Sequence, residues 1–449
     1  MSTPGRLPIA EPGPYLNTVV VNQGLGDAHN EVVTLGDPTS PASMAAVTGG
    51  NPHPTDYGLV VRPVFMAANI DASGRMRVSN LTTLFDGKIL GNVENALKWH
   101  TLGTGTPSAA NNSITLSVTA GQYMIRQAKH WNPYFSGKPQ MVEITGSNFQ
   151  LEAGVIKRFG YFSSSAVAPY TASLDGFYIE SNGDDNTYRL VAARNGTETH
   201  NIPWTRWDGY DLISGYDWSK FTVAEIDFLW LGGAALRLFM VVNGAFRLVH
   251  TIGNHAGTQS GIIIQTPNQP VRYEIRSTTG AGSYTTICSQ VASEGAGSEE
   301  GEELYVYSAF AVTTNAVGTI YAVNGVRKVA AYRDAHVDLL GSGLSIVSAS
   351  TDSGILLLML NPTLSAPLTW AAKSRIEEGM ATNQTITAGT GRVLAAVPMN
   401  SSGSAQASVT AALRSLPIGI DNVPGEIILA YMPTSTNQSV AGSIGVVEY

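Results

Sequence analysis

The stretch LFMVVNGAFRLVHT, residues 238–251, predicts the fold of this chain more clearly than any other segment. Apolar residues run along both halves of the stretch, and the dipeptide Asn243-Gly244 separates them. This dipeptide is favoured in a two-residue hairpin turn, because both central positions of the turn need a positive φ angle. The stretch therefore predicts two antiparallel strands joined by a tight turn.

Similar strand-like runs extend from this hairpin in both directions, at a spacing of about ten residues. Asn182-Gly183 predicts a second two-residue hairpin turn of the same kind, and the one helical candidate is the short run ENALKWH at 94–100. Runs of this number, length and spacing favour a β-sandwich or jelly roll over alternating strands and helices. We therefore expect an all-β protein: a jelly-roll, lectin-like β-sandwich, a second β-sandwich domain and an extended amino-terminal arm.

Shifts in composition divide the chain into four segments. Residues 1–56 contain eight prolines, and proline removes a hydrogen-bond donor from any strand it occupies. We expect this segment to be an extended arm that orders against a neighbouring subunit, with a tail without function as the alternative. We expect residues 57–295 to form the jelly-roll-like sandwich, the Gly- and Glu-rich segment 296–303 to be a hinge, and residues 304–449 to form the carboxy-terminal β domain.

Composition and charge exclude several classes of function. Among 449 residues only 13% are charged, the net charge is −8, and no run of five basic residues occurs, so we expect no nucleic-acid partner. The most apolar windows, 226–242 and 354–362, are too short or too interrupted to span a bilayer as helices, so we expect no membrane partner. The single cysteine, Cys288, excludes an intrachain disulfide, and no cofactor is expected.

The sharpest catalytic candidate is the run Glu225-Ile-Asp227-Phe-Leu229. Because side chains alternate along a strand, residues 225, 227 and 229 are predicted to share one face. Retaining glycosidases with a jelly-roll fold carry an acid at all three such positions, since two carboxylates must flank the glycosidic bond and one must be protonated. Leu229 stands where the proton donor is needed. We therefore predict no catalytic residues and no enzymatic activity, and favour an acidic strand face or a vestige of a shared fold.

Carboxylates and aromatic rings also alternate in WTRWDGYDLISGYDW, residues 204–218. Rings can stack on the apolar faces of sugars, and carboxylates can accept hydrogen bonds from sugar hydroxyls. The favoured alternative is that these aromatic residues fasten a long loop to the sandwich. The candidate glycan-contacting residues are Trp204, Trp207, Asp208, Tyr210, Asp211 and Trp218.

Two further groups contain residue types that bind metal ions. The segment SNGDDN at 181–186 could hold Ca²⁺ through Asp184 and Asp185, but it lacks the spacing of a loop-type calcium site, and a solvated hairpin turn is favoured. His250 and His255 are five residues apart, so on a strand they would point to opposite faces, which is poor geometry for one zinc ion. No metal site is therefore predicted.

The stretch 225–295 carries motifs of a known family. An Asp-x-x-Trp-Leu-Gly strand is followed by a hairpin with a histidine, the signature TPNQPVRYEI at 266–275, and an Ile-Cys-Ser stretch that ends in Ser-Glu-Gly at 293–295. In these motifs the chain resembles virion structural proteins of tailed bacteriophages. Relatives often have an acidic residue before the Trp of the first motif, where this chain has Leu229. The resemblance covers roughly residues 57–449.

The resemblance implies a component of the phage particle, capsid- or tail-associated, that is made in the bacterial cytoplasm and located in the virion. Its implied partners are copies of itself, as a trimer or higher oligomer, and other virion proteins. A surface-exposed tail or fibre protein that binds a host receptor or glycan is the alternative. Within the signature, Arg272 and Glu274 are predicted to share one strand face, and Tyr273 to fill the core from the other.

Overall fold

The chain divides into two units, Met1–Ala68 and Asn69–Tyr449. In the first unit, β1 (Arg6–Leu7) pairs with β2 (Leu16–Asn17) in antiparallel fashion. The rest of the predicted arm, and residues 57–79 of the predicted first sandwich, lie outside the described residues. The computed structural model describes residues 6–7, 16–17, 80–230, 235–253, 261–295, 301–340, 343–348, 353–399, 404–407 and 415–449.

Residues 81–294 form the first β-sandwich, and the strand-like runs of the sequence become its strands. The strands are β3 (Leu81–Asp86), β4 (Trp99–Gly103), β5 (Thr106–Ala110), β6 (Ser113–Val118), β7 (Tyr123–Ala128), β8 (Gln140–Ser147), β9 (Val155–Ser163), β10 (Asp175–Asn182), β11 (Thr187–Arg194), β12 (Thr197–Pro203), β13 (Thr222–Phe228), β14 (Leu236–Val242), β15 (Ala245–Ile252), β16 (Val271–Ser277) and β17 (Gly282–Glu294).

These strands make two antiparallel sheets that pack face to face. One has seven strands in the order β12-β11-β10-β9-β16-β7-β4, and the other has eight, β15-β14-β13-β8-β17-β6-β5 with β3 beside β17. Alternate residues of each strand face the shared core, as Ala224, Ile226 and Phe228 do on β13. The predicted lectin-like jelly-roll sandwich is therefore the architecture of this region.

The hairpin turns test the sequence prediction directly. Asn243 and Gly244 have φ angles of 51° and 78° between β14 and β15, so this two-residue turn is confirmed. The prediction for Asn182-Gly183 is wrong, because β10 and β11 are joined by the four residues 183–186. There the Asn182 side chain accepts hydrogen bonds from the backbone N–H groups of Asp184 and Asp185, at 3.0 and 3.1 Å, which stabilises a longer turn.

The helix predicted at 94–100 is not present. The Asn95 side chain and backbone carbonyl accept hydrogen bonds from the N–H groups of Leu97, Lys98 and Trp99, which makes a turn. Strand β4 then begins at Trp99, whose ring is buried in the core. Pairing of β4 with β7 has overridden the weak helical pattern.

A second β-sandwich follows, beginning at Glu302. Residues 296–300 of the predicted hinge lie outside the described residues, and Glu302 and Glu303 belong to a strand rather than to a hinge. The strands are β18 (Glu302–Thr314), β19 (Ile320–Lys328), β20 (Val337–Leu339), β21 (Leu344–Ser348), β22 (Gly354–Leu360), β23 (Thr369–Lys373), β24 (Ile376–Met380), β25 (Thr385–Ile386), β26 (Arg392–Met399), β27 (Ser404–Ala407), β28 (Ile427–Pro433) and β29 (Gln438–Glu448).

The second sandwich also has two antiparallel sheets. A five-stranded sheet follows the order β18-β29-β21-β27 with β20 beside β29, and a seven-stranded sheet follows β23-β24-β19-β28-β22-β26 with β25 beside β19. Leu356, Leu358 and Leu429 face the core between them. The intervening residues Leu357 and Ile428 belong to a separate apolar cluster. This explains why LLLML reads as a continuous apolar run, since β22 is buried on both faces.

Helices are short in the part of the chain that the structure describes. A 3₁₀ turn at Trp204–Arg206 and α1 (Tyr210–Ile213) lie between β12 and β13, and another 3₁₀ turn lies at Ala330–Tyr332. None of the described helices is long and apolar enough to cross a membrane.

We expect Tyr273→Ala to lower the free energy of unfolding by about 3–5 kcal/mol, as large aromatic truncations in cores do. Tyr273 is 0% exposed, packs near Trp99 and Tyr284, and donates its hydroxyl to the Cys288 carbonyl at 3.2 Å. Denaturant unfolding measures the effect. Tyr307→Ala, at an exposed position, is the matched control and should cost little. Equal stability of the Tyr273→Ala protein and the wild type would contradict the core assignment.

Candidate functional site

The signature segment 266–275 begins with a loop that is tied to the sandwich at several points. The Asp175 carboxylate accepts hydrogen bonds from the backbone N–H groups of Gln265 and Thr266, at 2.7 and 3.3 Å, and from the Gln269 side chain at 2.5 Å. Asn268 accepts a hydrogen bond from the Tyr134 N–H at 2.8 Å. The polar residues of the signature therefore hold a loop in place, with Gln269 fully buried.

The second half of the signature forms β16, and its charged residues enter a row of ion pairs on the sheet face opposite the core. Arg272 donates through Nε to Glu274 Oε1 at 2.9 Å, and Arg158 Nη1 lies 3.0 Å from Glu274 Oε2. Arg158 also donates through Nε to Glu180 at 2.8 Å. All four side chains are buried. This confirms that Arg272 and Glu274 share one face and that Tyr273 lies on the other.

Charge pairing decides the ionisation of Glu274. Burial alone raises the pKa of this carboxyl, but Arg272 and Arg158 lower it more, so the net pKa lies below the ordinary value of 4.5. Breaking a buried pair on one side leaves an uncompensated charge, which is more costly than losing a surface ion pair. Keeping these ion pairs therefore requires β16, β9 and β10 to hold their relative positions.

The acidic run on β13 is arranged differently from the sequence prediction. Glu225 and Asp227 do share the face opposite the core, where Asp227 pairs with Arg237 of β14 at 2.5 Å. The strand ends at Phe228, so its alternation does not reach Leu229, which is buried in the core cluster of the sandwich. The prediction that Leu229 shares the face of Glu225 is wrong for this reason.

A carboxylate that the sequence reasoning missed lies beside Glu225. Glu143 of β8 is the direct cross-strand partner of Glu225, and burial raises the pKa of the Glu143 carboxyl. Direct partners in an antiparallel pair have Cβ atoms about 5 Å apart. Glu225 is nevertheless only 5% exposed, so a substrate cannot reach it as it could an open catalytic acid. Only strand pairing, which the sequence does not state, brings these two residues together.

The aromatic segment 204–218 packs against the sandwich. Trp207 and Trp218 are each 3% exposed and belong to the core cluster. Trp218 stacks on Tyr188 with ring centroids 4.3 Å apart, and Trp207 donates its indole N–H to the Ile202 carbonyl at 3.0 Å. Of the six candidate glycan-contacting residues, these two therefore face the interior, and their rings are not available to stack on a sugar in this conformation.

The other four candidates remain at or near the surface. Asp208 is exposed and lies 3.1 Å from His250, and it accepts a hydrogen bond from the Thr251 N–H at 3.1 Å. Trp204 and Tyr210 are half-buried, with ring centroids 5.3 Å apart, and Asp211 is exposed. The segment thus combines the two interpretations: it fastens the loop, and it leaves two rings and two carboxylates partly accessible.

Two exposed aromatic residues of the first sandwich, outside this segment, were not among the sequence candidates. Phe221, directly before β13, is 71% exposed, and Phe246 on β15 is 38% exposed. Phe246 is the cross-strand partner of Val241, which alternates with the core residues Leu238 and Met240. Counting the alternation through the Asn243-Gly244 turn would therefore have placed Phe246 on the outer face.

The metal candidates are occupied by other interactions or lie outside the described residues. Asp185 pairs with Arg189, and His250 with Asp208. His255 lies outside the described residues. Within the described ranges, no group of three His, Cys, Asp or Glu residues could hold a metal ion.

The two sandwiches meet at a junction that contains a cavity of about 150 Å³. Its lining includes His100 and Lys129 from the first sandwich and Asp421 from the second. The backbone N–H of Ile420 donates to His100 Nδ1 at 3.0 Å, and burial lowers the pKa of His100. His336 makes a further contact across the junction, with its Nδ1 3.1 Å from the Trp131 carbonyl. The cavity is thus built from residues that join the domains.

No protein-family model matches the chain, and no similar protein is found among curated sequences. Several solved structures are similar in fold. Lectin I-B4 from Griffonia simplicifolia is 12% identical, with a TM-score of 0.29 over 48% of this chain and 100% of that chain. The β-glucanase of Bacillus licheniformis is 14% identical, with a TM-score of 0.30 over 47% and 98%. A legume lectin-like domain from Entamoeba histolytica is 11% identical, with a TM-score of 0.30 over 47% and 97%. These likenesses concern the fold alone.

We expect Glu274→Gln to destabilise the protein at pH 7 by about 3–5 kcal/mol, because it leaves Arg272 and Arg158 buried without their shared carboxylate. A carboxyl whose pKa is lowered by folding stabilises the protein above its unfolded pKa and loses that contribution as pH falls through the folded pKa. The difference between wild type and variant should therefore narrow below pH 4.5. Urea unfolding at several pH values measures it, with the exposed Glu302→Gln as control. A difference that does not change with pH would contradict the role of the ionised Glu274.

The prediction that the chain is not a glycosidase has a direct assay. Pure protein and its Glu225→Gln variant are compared for release of reducing ends from bacterial capsular polysaccharide and lipopolysaccharide. We expect both to be inactive, since Glu225 is buried and Asp227 is paired with Arg237. Glu143→Gln is the matched test of the neighbouring carboxylate. Cleavage by the wild type that disappears in either variant would overturn the non-enzymatic prediction.

Proposed function

We propose that this protein is a structural component of a tailed-phage particle, capsid- or tail-associated, that assembles through contacts between subunits. The observation that carries the proposal is that the signature segment 266–275 makes hydrogen bonds at the junction of the two sandwiches. Its Asn268 donates to the Asp334 carbonyl of the second sandwich at 3.2 Å, and its Arg272 donates to Ser164 at 2.8 Å. Ser164 in turn accepts a hydrogen bond from Arg333 of the second sandwich through its carbonyl.

These contacts support a structural role because they hold the two sandwiches in a fixed arrangement. The residues that resemble the phage family fasten a loop, form a row of ion pairs and contribute hydrogen bonds to the junction between the domains. A part that repeats in a large assembly needs fixed domain geometry, because each subunit transmits its orientation to the next. The low charge of the chain, 13% of residues, also lets copies pack with little electrostatic repulsion.

The arm supplies the proposed attachment to neighbours. Its eight prolines disfavour a core of its own, and extended segments of this composition commonly order on a partner. The proposed partners are copies of this chain, in a trimer or higher oligomer, and other virion proteins, and the proposed location is the virion.

A second candidate function is binding of a host surface glycan by an exposed tail or fibre protein. The observation in its favour is the set of aromatic and carboxylate side chains that the sandwich leaves accessible. Trp204 and Tyr210 are half-buried beside the exposed Asp208 and Asp211. Rings that are fixed in place lose little conformational entropy when a ligand stacks on them.

The arm is tested by deletion of residues 2–50 in the phage that encodes the protein. We expect the truncated chain to fold with an unchanged melting temperature of the sandwiches but to be absent from purified particles. Quantitative gel analysis of virions measures incorporation, and differential scanning calorimetry measures folding. A matched control replaces the same residues by a flexible Gly-Ser segment of equal length, which should also fail to incorporate. Normal incorporation of the deleted chain would contradict the proposed role of the arm.

A further inference from the structure

Strand β18 lies at an edge of the five-stranded sheet of the second sandwich. Among the described residues, its strand partner is β29, and its other side pairs with no strand. Tyr305 and Tyr307 are 46% and 66% exposed, whereas Val306 between them is buried in the core. A long edge strand presents unpaired backbone groups that can pair with another chain. The 13-residue β18 is therefore a candidate surface for contact with a second protein chain.

The hydrogen bonds of β29 show which backbone groups of β18 face outward. Tyr305 is the register partner of Gly445. The N–H of Gly445 donates to the Gly343 carbonyl, and its carbonyl accepts from the Leu340 N–H, both at 2.9 Å. Both backbone groups of Gly445 therefore point away from β18, and in an antiparallel pair the groups of its partner then point away as well. The N–H and C=O of Tyr305 face the free edge.

Two neighbours of Tyr305 share this orientation. Backbone groups alternate in direction along a strand, so those of Glu303 and Tyr307 also face the free edge. Pairing with β29 runs from Glu302 to Ser308 without a register shift, so the alternation is unbroken there. Lys373, at the end of β23, donates to the Tyr305 carbonyl at 3.0 Å, which agrees with an outward carbonyl. A carbonyl oxygen has two lone pairs, so it can accept a second hydrogen bond beside this one.

The other sheet of the sandwich ends on the same side. β23 is its edge strand, and the contact between Lys373 and Tyr305 places β23 beside β18. Ala371 and Ala372 of β23 are exposed. Leu304 of β18 packs against the core but is only partly buried. Small and apolar side chains are thus open at this side of the sandwich, where a strand added to β18 would cover them.

The charges of β18 favour a second copy of the same strand as the partner. When two copies run antiparallel about a two-fold axis at Tyr305, each Glu303 lies opposite Tyr307 of the other copy. The tyrosine hydroxyl can donate to the carboxylate, and each Glu302 lies opposite a Ser308, so no like charges meet. A parallel pair in register would place Glu302 and Glu303 opposite their own copies, which is unfavourable. The strand is therefore complementary to itself in the antiparallel direction.

We propose that β18 pairs with β18 of a second copy of this chain, antiparallel about a two-fold axis at Tyr305, so that the two five-stranded sheets become continuous. Tyr305 exchanges backbone hydrogen bonds with its own copy, and Glu303 exchanges them with Tyr307. The inference rests on the proposed structural role and names a surface for its contacts between subunits. In a trimer or higher oligomer, this two-fold contact joins one oligomer to another. The contact is small, so we expect association on the order of 10–100 μM and separate copies in dilute solution.

The test places charges on the proposed axis of the full-length chain. Because Tyr305 would lie beside its own copy, Tyr305→Lys and Tyr305→Glu should each weaken association roughly tenfold or more through repulsion of like charges. An equimolar mixture of the two variants should restore association, since only the mixed pair brings opposite charges together. Sedimentation velocity over a range of concentrations measures association, and the melting temperature checks folding. Tyr332→Lys and Tyr332→Glu, at a position that is 50% exposed, are the matched controls and should associate as the wild type does.

Lys373 supplies the competing explanation. A lysine at a sheet edge can protect that edge from pairing, and this one also lies 3.6 Å from Glu378. A wild-type chain that stays monomeric up to about 500 μM would overturn the proposal. Association that appears only in Lys373→Ala would overturn it too, and would assign Lys373 to protection of the edge. Association that persists unchanged in both Tyr305 variants would place the contact on another surface and likewise overturn the proposal.

These outcomes are separate from the test of the structural role. That role depends on the presence of the chain in purified particles, whereas the β18 contact is measured on pure protein in solution. A chain that is found in particles but does not associate through β18 would overturn this inference and retain the structural role. A chain that associates through β18 but is absent from particles would retain the contact and overturn the structural role.

Discussion

Strand β16 places an aromatic core residue and a buried row of ion pairs on opposite faces of the same seven residues, and the first sandwich depends on both. Tyr273 packs in the core on one face of the strand, while Arg272 and Glu274 form ion pairs on the other face. The two requirements are linked by register, because a shift of one residue would place the charges in the apolar core and the ring among the buried ion pairs.

The sequence predicted the fold class well because alternation and turn chemistry are local. Asn243-Gly244 needs only its own φ angles to make a hairpin. Asn182-Gly183 has the same letters, but the Asn182 side chain caps a longer loop, and no local pattern distinguishes the two cases. The run at 94–100 failed for a different reason: the pairing of β4 with β7 is a long-range interaction that helical propensity does not anticipate.

The candidate site was predicted less well, since its geometry depends on pairs of strands. Glu225 was recognised because its acidic neighbour is close in sequence, whereas Glu143 is far away in the chain and adjacent only through β8. Tryptophan density drew attention to 204–218, yet Trp207 and Trp218 are core residues. Exposure, which the sequence does not state, separates these two from Trp204 and Tyr210, which are half-buried. Composition therefore located the aromatic residues, and only packing separated the accessible ones from those that hold the loop.

The two carboxylates that are paired across β8 and β13 differ in their accessibility. Hydrolysis needs two carboxylates that both reach the glycosidic bond, one of them protonated. Glu143 is half-buried with a raised pKa, so it is suited to hydrogen bonding, but its partner Glu225 lies beneath the accessible surface. The same pairing of strands that brings two acids together therefore also buries the one that a nucleophilic mechanism would need at the surface.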